Sequence, residues 1–382
     1  MQPDRPMPLE NFCSCSDETR LFVFGGSDFE NNFHNELWCF TFANGWKLLK
    51  GRGMVPCGRI GAGMCYLKEK IYVFGGLTNA RCTSSDLYEY SLRNKSWRRI
   101  EVSCSTPPLP RFFCTLTAYA EKLYLYGGIS LIDHADYDVE SLAAAERTRE
   151  EAAIVMQYDL LSSFCHLADL NIYVPGENTW IEASRPVHRY SQSFGKSACS
   201  SAAVDGGMFI FGGFDESGSF TNSTLRYDFS GNGWCTLDPV KGCPSARAFH
   251  ACTAVDGSRV LVFAGKSRDD WELNDLWLFD RDADAWYRSG DIWDEFLNTV
   301  GERCGCALAI LQRESQDRCL VIFGGSTDID PATGISQTVL NDLRFIVLDE
   351  LMLENFVVQF RHNTHVDNMC TTACTDCDCI NL

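Results

Sequence analysis

The chain contains no apolar run approaching ~18 residues, which excludes a helix of ordinary membrane-spanning length. Residues 1–9 carry neither a basic leader segment nor an apolar core, so no secretory signal is expected and cytoplasm is the expected compartment. Positive charge is scarce. The 33 Lys+Arg stand against 51 Asp+Glu, a net charge of −18, and like charge disfavours nucleic acid and anionic membrane surfaces as partners. A neutral or basic protein partner is expected instead. Catalytic signatures are missing as well: there is no Walker-type loop, no nucleophile elbow and no His-Glu-x-x-His pattern. Of seven histidines, His34, His134, His166, His188 and His250 are scattered singly, and a lone His is more often a satisfied or surface residue than a base.

Cysteine, by contrast, is abundant, with 20 in 382 residues. In a reducing compartment these do not read as a disulfide framework. Cys15, Cys65, Cys114, Cys199, Cys252 and Cys306 fall at comparable first-strand positions, where a thiol serves as a compact buried hydrophobe.

The dominant feature is a repeat. Six times an apolar run meets a glycine pair or a near copy of one, with the first glycine at Gly25, Gly75, Gly127, Gly212 and Gly324 and Ala264 in the fifth unit. A period near 50 residues marks an array of like units. The second unit shows the anatomy most clearly. A small-apolar strand from Arg59, a turn at Lys68–Lys70 and the run Ile71–Phe74 precede the glycines. An alternating strand over residues 85–90 and a last strand carrying Trp97 follow them. The third-strand start recurs as Glu36-Leu37, Asp86-Leu87, Asp169-Leu170, Asp275-Leu276 and Asp342-Leu343, with Ser223-Thr-Leu225 the loosest copy. A tryptophan follows at Trp46, Trp97, Trp180, Trp234 and Trp286, suited to the wedge between neighbouring sheets. The sixth unit has none; Met352, Leu353 or Phe356 must substitute.

Glycine pair, acidic-Leu strand, tryptophan and a cation opening the first strand together resemble the kelch repeat, over roughly residues 9–360. The resemblance implies an all-β fold, a six-bladed kelch β-propeller with a helical insertion in blade 3. The expected blades are about 9–50, 59–100, 111–183, 196–237, 247–288 and 303–360, between a flexible N-terminus (1–8) and a Cys-rich flexible tail (361–382). How the ring closes is left open, because blade 1 has its own short first strand near Phe12–Cys15.

In such a ring the loops carry function. Arg59, Arg111, Lys196, Arg247 and Arg303 open their blades, with Leu9 at the equivalent position of blade 1, so symmetry gathers five cations around one channel mouth. In kelch domains, arginines at this place often line the ligand pocket, and guanidinium forks suit carboxylates. The competing reading is internal: each cation satisfies blade-to-blade carbonyls or pairs with the third-strand acid. Connections after the glycine pairs are acidic and aromatic, with Asp28, Asp215, Asp269, Asp270 and Trp271 as candidate contacts, except in blade 2. A basic centre in an acidic, aromatic rim fits a partner segment of mixed charge.

Blade 3 carries an insertion of about 31 residues, in which 138–156 is rich in helix formers and lacks Gly and Pro, the pattern of an amphipathic helix lying on the ring. The tail thiols Cys370, Cys374, Cys377 and Cys379 could supply a tetrahedral set for Zn²⁺, although their spacing matches no paired-knuckle pattern, and no other cofactor is indicated.

The resemblance therefore implies a non-enzymatic interaction module or adaptor, in a family that includes cytoskeletal linkers, trafficking effectors and ubiquitin-ligase substrate adaptors. No BTB or F-box domain is expected outside the ring. The alternative is a small-molecule enzyme of kelch type, a sugar isomerase or an iron-dependent specifier, whose Glu-Asp-His metal set is not recognisable here.

Overall fold

Each glycine pair ends a buried apolar strand by turning the backbone through left-handed space, which glycine enters without a Cβ penalty. In a computed structural model, which describes residues 4–80, 82–102, 107–132, 163–183, 195–237, 242–268, 272–329, 336–348 and 353, the first glycines stand at φ 62–71° and Ala264 at 60°. Their preceding strands, such as Lys70–Phe74 and Gly207–Phe211, are buried on both faces.

Around these breaks the chain forms antiparallel meanders in sequence order. Blade 2 is Gly63–Leu67, Lys70–Phe74, Leu87–Ser91 and Ser96–Arg99, with the short strand Arg52–Gly53 added in parallel on its outer edge. Blades 1, 3, 4 and 5 repeat the four-strand plan, and blade 6 contributes Ala307–Gln312, Arg318–Ile329 and Ser336–Leu348 among the described residues. The six inner strands neighbour one another in a closed circle. The first, Cys13–Ser16, touches both Gly63–Leu67 of blade 2 and Ala307–Gln312 of blade 6.

Blade 1 therefore supplies all four of its strands, and among the described residues the ring closes by packing rather than strand exchange. Leu21, Val23 and Phe40 of blade 1 are buried against Ala309, Val321 and Phe323 of blade 6. The tryptophans work as wedges at this seam and the others. Trp46 lies 4.5 Å from Phe323, Trp97 5.3 Å from Phe24, Trp180 5.4 Å from Phe74, Trp234 5.1 Å from Tyr126 and Trp286 4.8 Å from Phe211. In every case the partner is the aromatic residue just before the previous blade's first glycine. At the blade 5–6 seam the corresponding residue, Phe263, belongs to a buried cluster that includes Leu353, Trp293 and Leu297. The latter two belong to helix α1 (Asp291–Val300), inserted in the connection between those blades. Leu353, one of the three substitutes expected for the missing tryptophan, lies in this cluster with a helix the repeat pattern did not announce, and Met352 and Phe356 lie outside the described residues.

The helical insertion expected in blade 3 lies outside the described residues; its base is the hairpin Ile129–Ile132 with Ser163–His166. Among the described residues no helix is long and apolar enough to cross a membrane.

Candidate partner-binding face

The connections between blades and the connections after the glycine pairs share one face, as short bridges between them show: Glu10 with Ser27, Ile60 with Leu77, Phe112 with Ile129, Ser197 with Phe214, Ala248 with Lys266 and Cys304 with Ser326. The hairpin turns within blades form the opposite face.

The five recurring cations do not make an exposed basic centre on it. Arg59, Arg111, Arg247 and Arg303 are 0–1% exposed and Lys196 is 2% exposed. Two sets of bonds hold them inside. Their main-chain carbonyls accept from the second glycine of the preceding blade: Gly26 N–H to Arg59 at 2.9 Å, Gly76 to Arg111 at 2.8 Å, Gly128 to Lys196 at 2.7 Å, Gly213 to Arg247 at 2.8 Å and Gly265 to Arg303 at 3.0 Å. Their guanidinium groups donate to the first glycine's carbonyl, or Ala264's, in their own blade: Arg59 to Gly75 (2.7 Å), Arg111 to Gly127 (3.0 Å), Arg247 to Ala264 (3.1 Å) and Arg303 to Gly324 (3.2 Å). Glycine pair and cation are one device, a clasp at five of the six seams; between blades 6 and 1, Leu9 stands in the cation's place.

The third-strand acids complete it. Arg111 meets Asp169 through two bonds of 2.7 Å, Arg247 meets Asp275 at 2.6 and 2.8 Å, and Arg303 meets Asp342 at 3.0 and 3.4 Å. Burial alone would raise these carboxyls, but the hydrogen bonds and charge of the facing arginine outweigh it and hold all three below the ordinary Asp value. Two blades depart together from the pattern. In blade 4 the acid is replaced by Ser223, the cation is Lys196, and its ammonium bonds the Thr221 hydroxyl at 2.9 Å. In blade 2 Asp86 is taken by Arg99 at 2.6 Å, while Arg59 lies over the Tyr88 ring at 5.1 Å. The partner-contact role expected for these cations is therefore corrected to an internal one, because their side chains are enclosed in the ring and each bonds within it.

What the face presents at its centre is a second ring, unseen in the sequence. Two residues after each blade-opening position the backbone again turns left-handed: Asn11, Gly61, Phe113, Ala198, Phe249 and Gly305 all have φ between 49° and 64°. They bond one to the next around the mouth, with Gly61 N–H to Asn11 O (2.9 Å), Phe113 to Gly61 (2.6 Å), Ala198 to Phe113 (3.0 Å), Phe249 to Ala198 (3.0 Å) and Gly305 to Phe249 (2.8 Å). Phe113 and Phe249 pack edge to face at 5.0 Å, and the Lys266 ammonium sits 5.1 Å from the Phe249 ring centre. The only sequence signal was positional, two residues beyond each cation; a phenylalanine at positive φ gives no compositional cue.

Below this mouth, the channel is a cavity of about 400 Å³ walled by small residues and thiols, including Cys65, Cys114, Cys199, Cys252 and Cys306. Burial pushes Cys114 up to about 11 and Cys199, Cys252 and Cys306 up to about 12, so these are protonated packing residues and poor nucleophiles. All fifteen described cysteines are free. His250, in the same wall, is pushed down to about 3 by burial and then by Arg247, and stays neutral.

Around the mouth lie the acidic connections. Asp28 and Asp215 occupy equivalent places in blades 1 and 4, three residues past their first glycines. Each carboxylate folds its own loop, Asp28 accepting from the Glu30 and Asn32 amides and Asp215 from Ser217 and Ser219. The side chains those loops offer outward include Phe29, 74% exposed, and the exposed Glu30 and Glu216. Asp269, Asp270 and Trp271 lie outside the described residues, as do Cys370, Cys374, Cys377 and Cys379. Among the described residues no cluster of three or more His, Cys, Asp or Glu side chains is placed to hold a metal.

Comparison with known proteins agrees with this architecture. The family model for the KLHDC2/KLHL20/DRC7 kelch-repeats domain matches residues 11–157 and 163–377. Mouse Kelch domain-containing protein 1 is 24% identical over 335 residues, covering 83% of this chain and 75% of the relative. Acyl-CoA-binding domain-containing protein 5 of Arabidopsis thaliana is 27% identical over 245 residues, 64% of this chain and 34% of that protein. Host cell factor of Drosophila melanogaster is 26% identical over 308 residues, 69% of this chain and 18% of that protein. With six blades in a closed ring and a family match over most of its length, the chain belongs to the kelch-repeat family.

Proposed function

We propose that this chain is a non-enzymatic protein-interaction module, an adaptor that presents its loop-lined face to a protein partner. The observation that carries the reading is the composition of that face. A mouth where Phe249 is half-buried, with Phe113 and Lys266 buried beside it, is surrounded by loops that expose Phe29, Glu30 and Glu216. An apolar centre within a charged rim is the layout of a recognition surface. The cations withdrawn into the ring leave an acidic rim, which suits a segment with an apolar anchor and basic or mixed-charge flanks. Asp269, Asp270 and Trp271 belong to the equivalent connection of blade 5 and are proposed as part of the same rim. The reading requires no cofactor, and fifteen free thiols suit a reducing cytoplasm. Cytoskeletal, trafficking and ubiquitin-ligase components are the classes of partner to seek.

The test is quantitative affinity purification of the chain beside Phe29→Ser combined with Glu216→Lys, two exposed positions whose change leaves the core untouched. A set of proteins depleted at least about tenfold from the variant, at an unchanged unfolding midpoint, is the expected result. Identical partner lists would remove this face from the account.

A further inference from the structure

Charge is not evenly spread around the ring. Residues 47–99, spanning the end of blade 1 and all of blade 2, hold eleven Lys and Arg against three Asp and Glu, a net of +8 in a chain of −18. The rest of the chain together therefore carries the acidic excess. Part of this cationic set borders a groove of about 770 Å³ between blades 1 and 2 on the hairpin side, opposite the loop-lined face. Its walls expose the half-buried Leu49 and Leu92 over Phe22 and Cys39. Its rim carries Arg20, Lys68, Lys70 and Arg93, with Glu69 the single acid.

Glu69 does not neutralise that rim toward a ligand. Its carboxylate is already held by Arg20 at 2.8 Å and by the Tyr66 hydroxyl at 2.7 Å. Lys70 meets Glu89 at 3.0 Å, and Lys68 reaches Glu121 at 2.5 Å with both side chains more than half exposed, a pair that solvent screens heavily. Arg93 makes no ion pair among the described residues. Neither does Lys95 in the same turn, nor Lys47, which stands opposite Cys39 across the strand pair. An apolar floor beside Arg93, with the solvent-screened Lys68 next to it, leaves rim charge that an incoming carboxylate can meet.

We infer that this groove is a second docking site, taking a short acidic segment of a partner protein whose apolar side chain rests on Leu49 and Leu92 while its carboxylates meet Lys68, Lys70 and Arg93. A short peptide fits better than an extended polyanion. The basic field is local, and beyond roughly 10 Å of screening a nucleic acid or membrane would meet the acidic remainder of the ring. The site goes beyond the loop-lined face: two surfaces on opposite sides let one propeller bridge two proteins.

The experiment pans a displayed library of random peptides against the full chain and measures the enriched sequences by fluorescence polarisation. Enriched peptides of net negative charge with at least one large apolar residue are expected. The double reversal Lys68→Glu with Arg93→Glu should weaken them about tenfold or more, and raising the salt should weaken them too. Phe29→Ser with Glu216→Lys should leave them unaffected, which separates this site from the loop-lined face. Both reversed residues lie on exposed turns, so the unfolding midpoint should hold; if it moves, Arg93→Gln alone reads the same rim. The inference is overturned if no acidic peptide is enriched, or if the reversed variant binds such peptides equally well. It is also overturned if the variant instead loses phosphatidylserine vesicles or oligouridine that the parent chain bound.

Discussion

Asp275→Ala is expected to lower the unfolding free energy by about 3–5 kcal/mol, the cost of stranding a buried guanidinium without its carboxylate. Arg247 is fully buried and Asp275 nearly so. The aspartate also accepts from the Trp277 indole at 2.6 Å, so its loss leaves a second donor unmatched. Replacing both partners, Arg247→Met with Asp275→Leu, should cost much less than the single change, because no charge is then left in the interior. Chemical denaturation of the three variants measures the difference, and equal losses for single and double variants would mean that the pair does not act as one unit. The same carboxylates set the acid limit. Asp169, Asp275 and Asp342 have folded values depressed below the unfolded value of about 3.9. Their stabilisation is complete above that value and disappears as pH falls through the lower folded values, so acid unfolding should begin below about pH 4.

The second large effect lies at the glycine that gives the repeat its signature. Gly127 stands at φ 65°, and a Cβ there would sit 2.3 Å from the carbonyl oxygen of Lys196 in the next blade. That oxygen is fixed, since it accepts the Gly128 N–H at 2.7 Å. Gly127→Ala must therefore break the clasp or push blades 3 and 4 apart. Left-handed strain and backbone displacement together should cost at least about 3 kcal/mol. Blade 5 supplies the internal comparison. Ala264 already carries a methyl at φ 60°, buried against α1, and the Gly265 to Arg303 bond survives at 3.0 Å. Ala264→Gly should change stability by less than about 1 kcal/mol, the lost methyl offsetting the relieved backbone. Comparable losses at both positions would show that the first glycine is not needed for blade contact.

Most of the fold was legible because it is periodic. Local signals such as Gly75-Gly76, Asp86-Leu87 and Trp97 recur in phase, and repetition turns weak cues into a firm register. The same index located every clasp cation, yet not its surroundings. A run of regularly spaced arginines reads as surface charge until the partner acid is seen, and Asp169 lies 58 residues from Arg111, beyond the blade 3 insertion. The internal reading and the pocket reading were both open on sequence grounds, and burial decided between them. The left-handed ring through Phe113 and Phe249 escaped for another reason: bulky residues seldom occupy positive φ, and the series of amide bonds holding them there runs from blade to blade. Helix α1 was hidden because it lies in the connection between Trp286 and Arg303, where the repeat pattern assigns no element.

The central structural claim is that the recurring cations are internal clasps and that recognition belongs to the loops. Arginine modification of the native chain with phenylglyoxal, mapped by peptide mass spectrometry, tests it directly. Arg93 and Arg98, on exposed turns and strands, should be labelled, while Arg59, Arg111, Arg247 and Arg303 stay unmodified until the ring unfolds. Labelling of those four in the folded protein, at rates matching Arg93, would contradict the account.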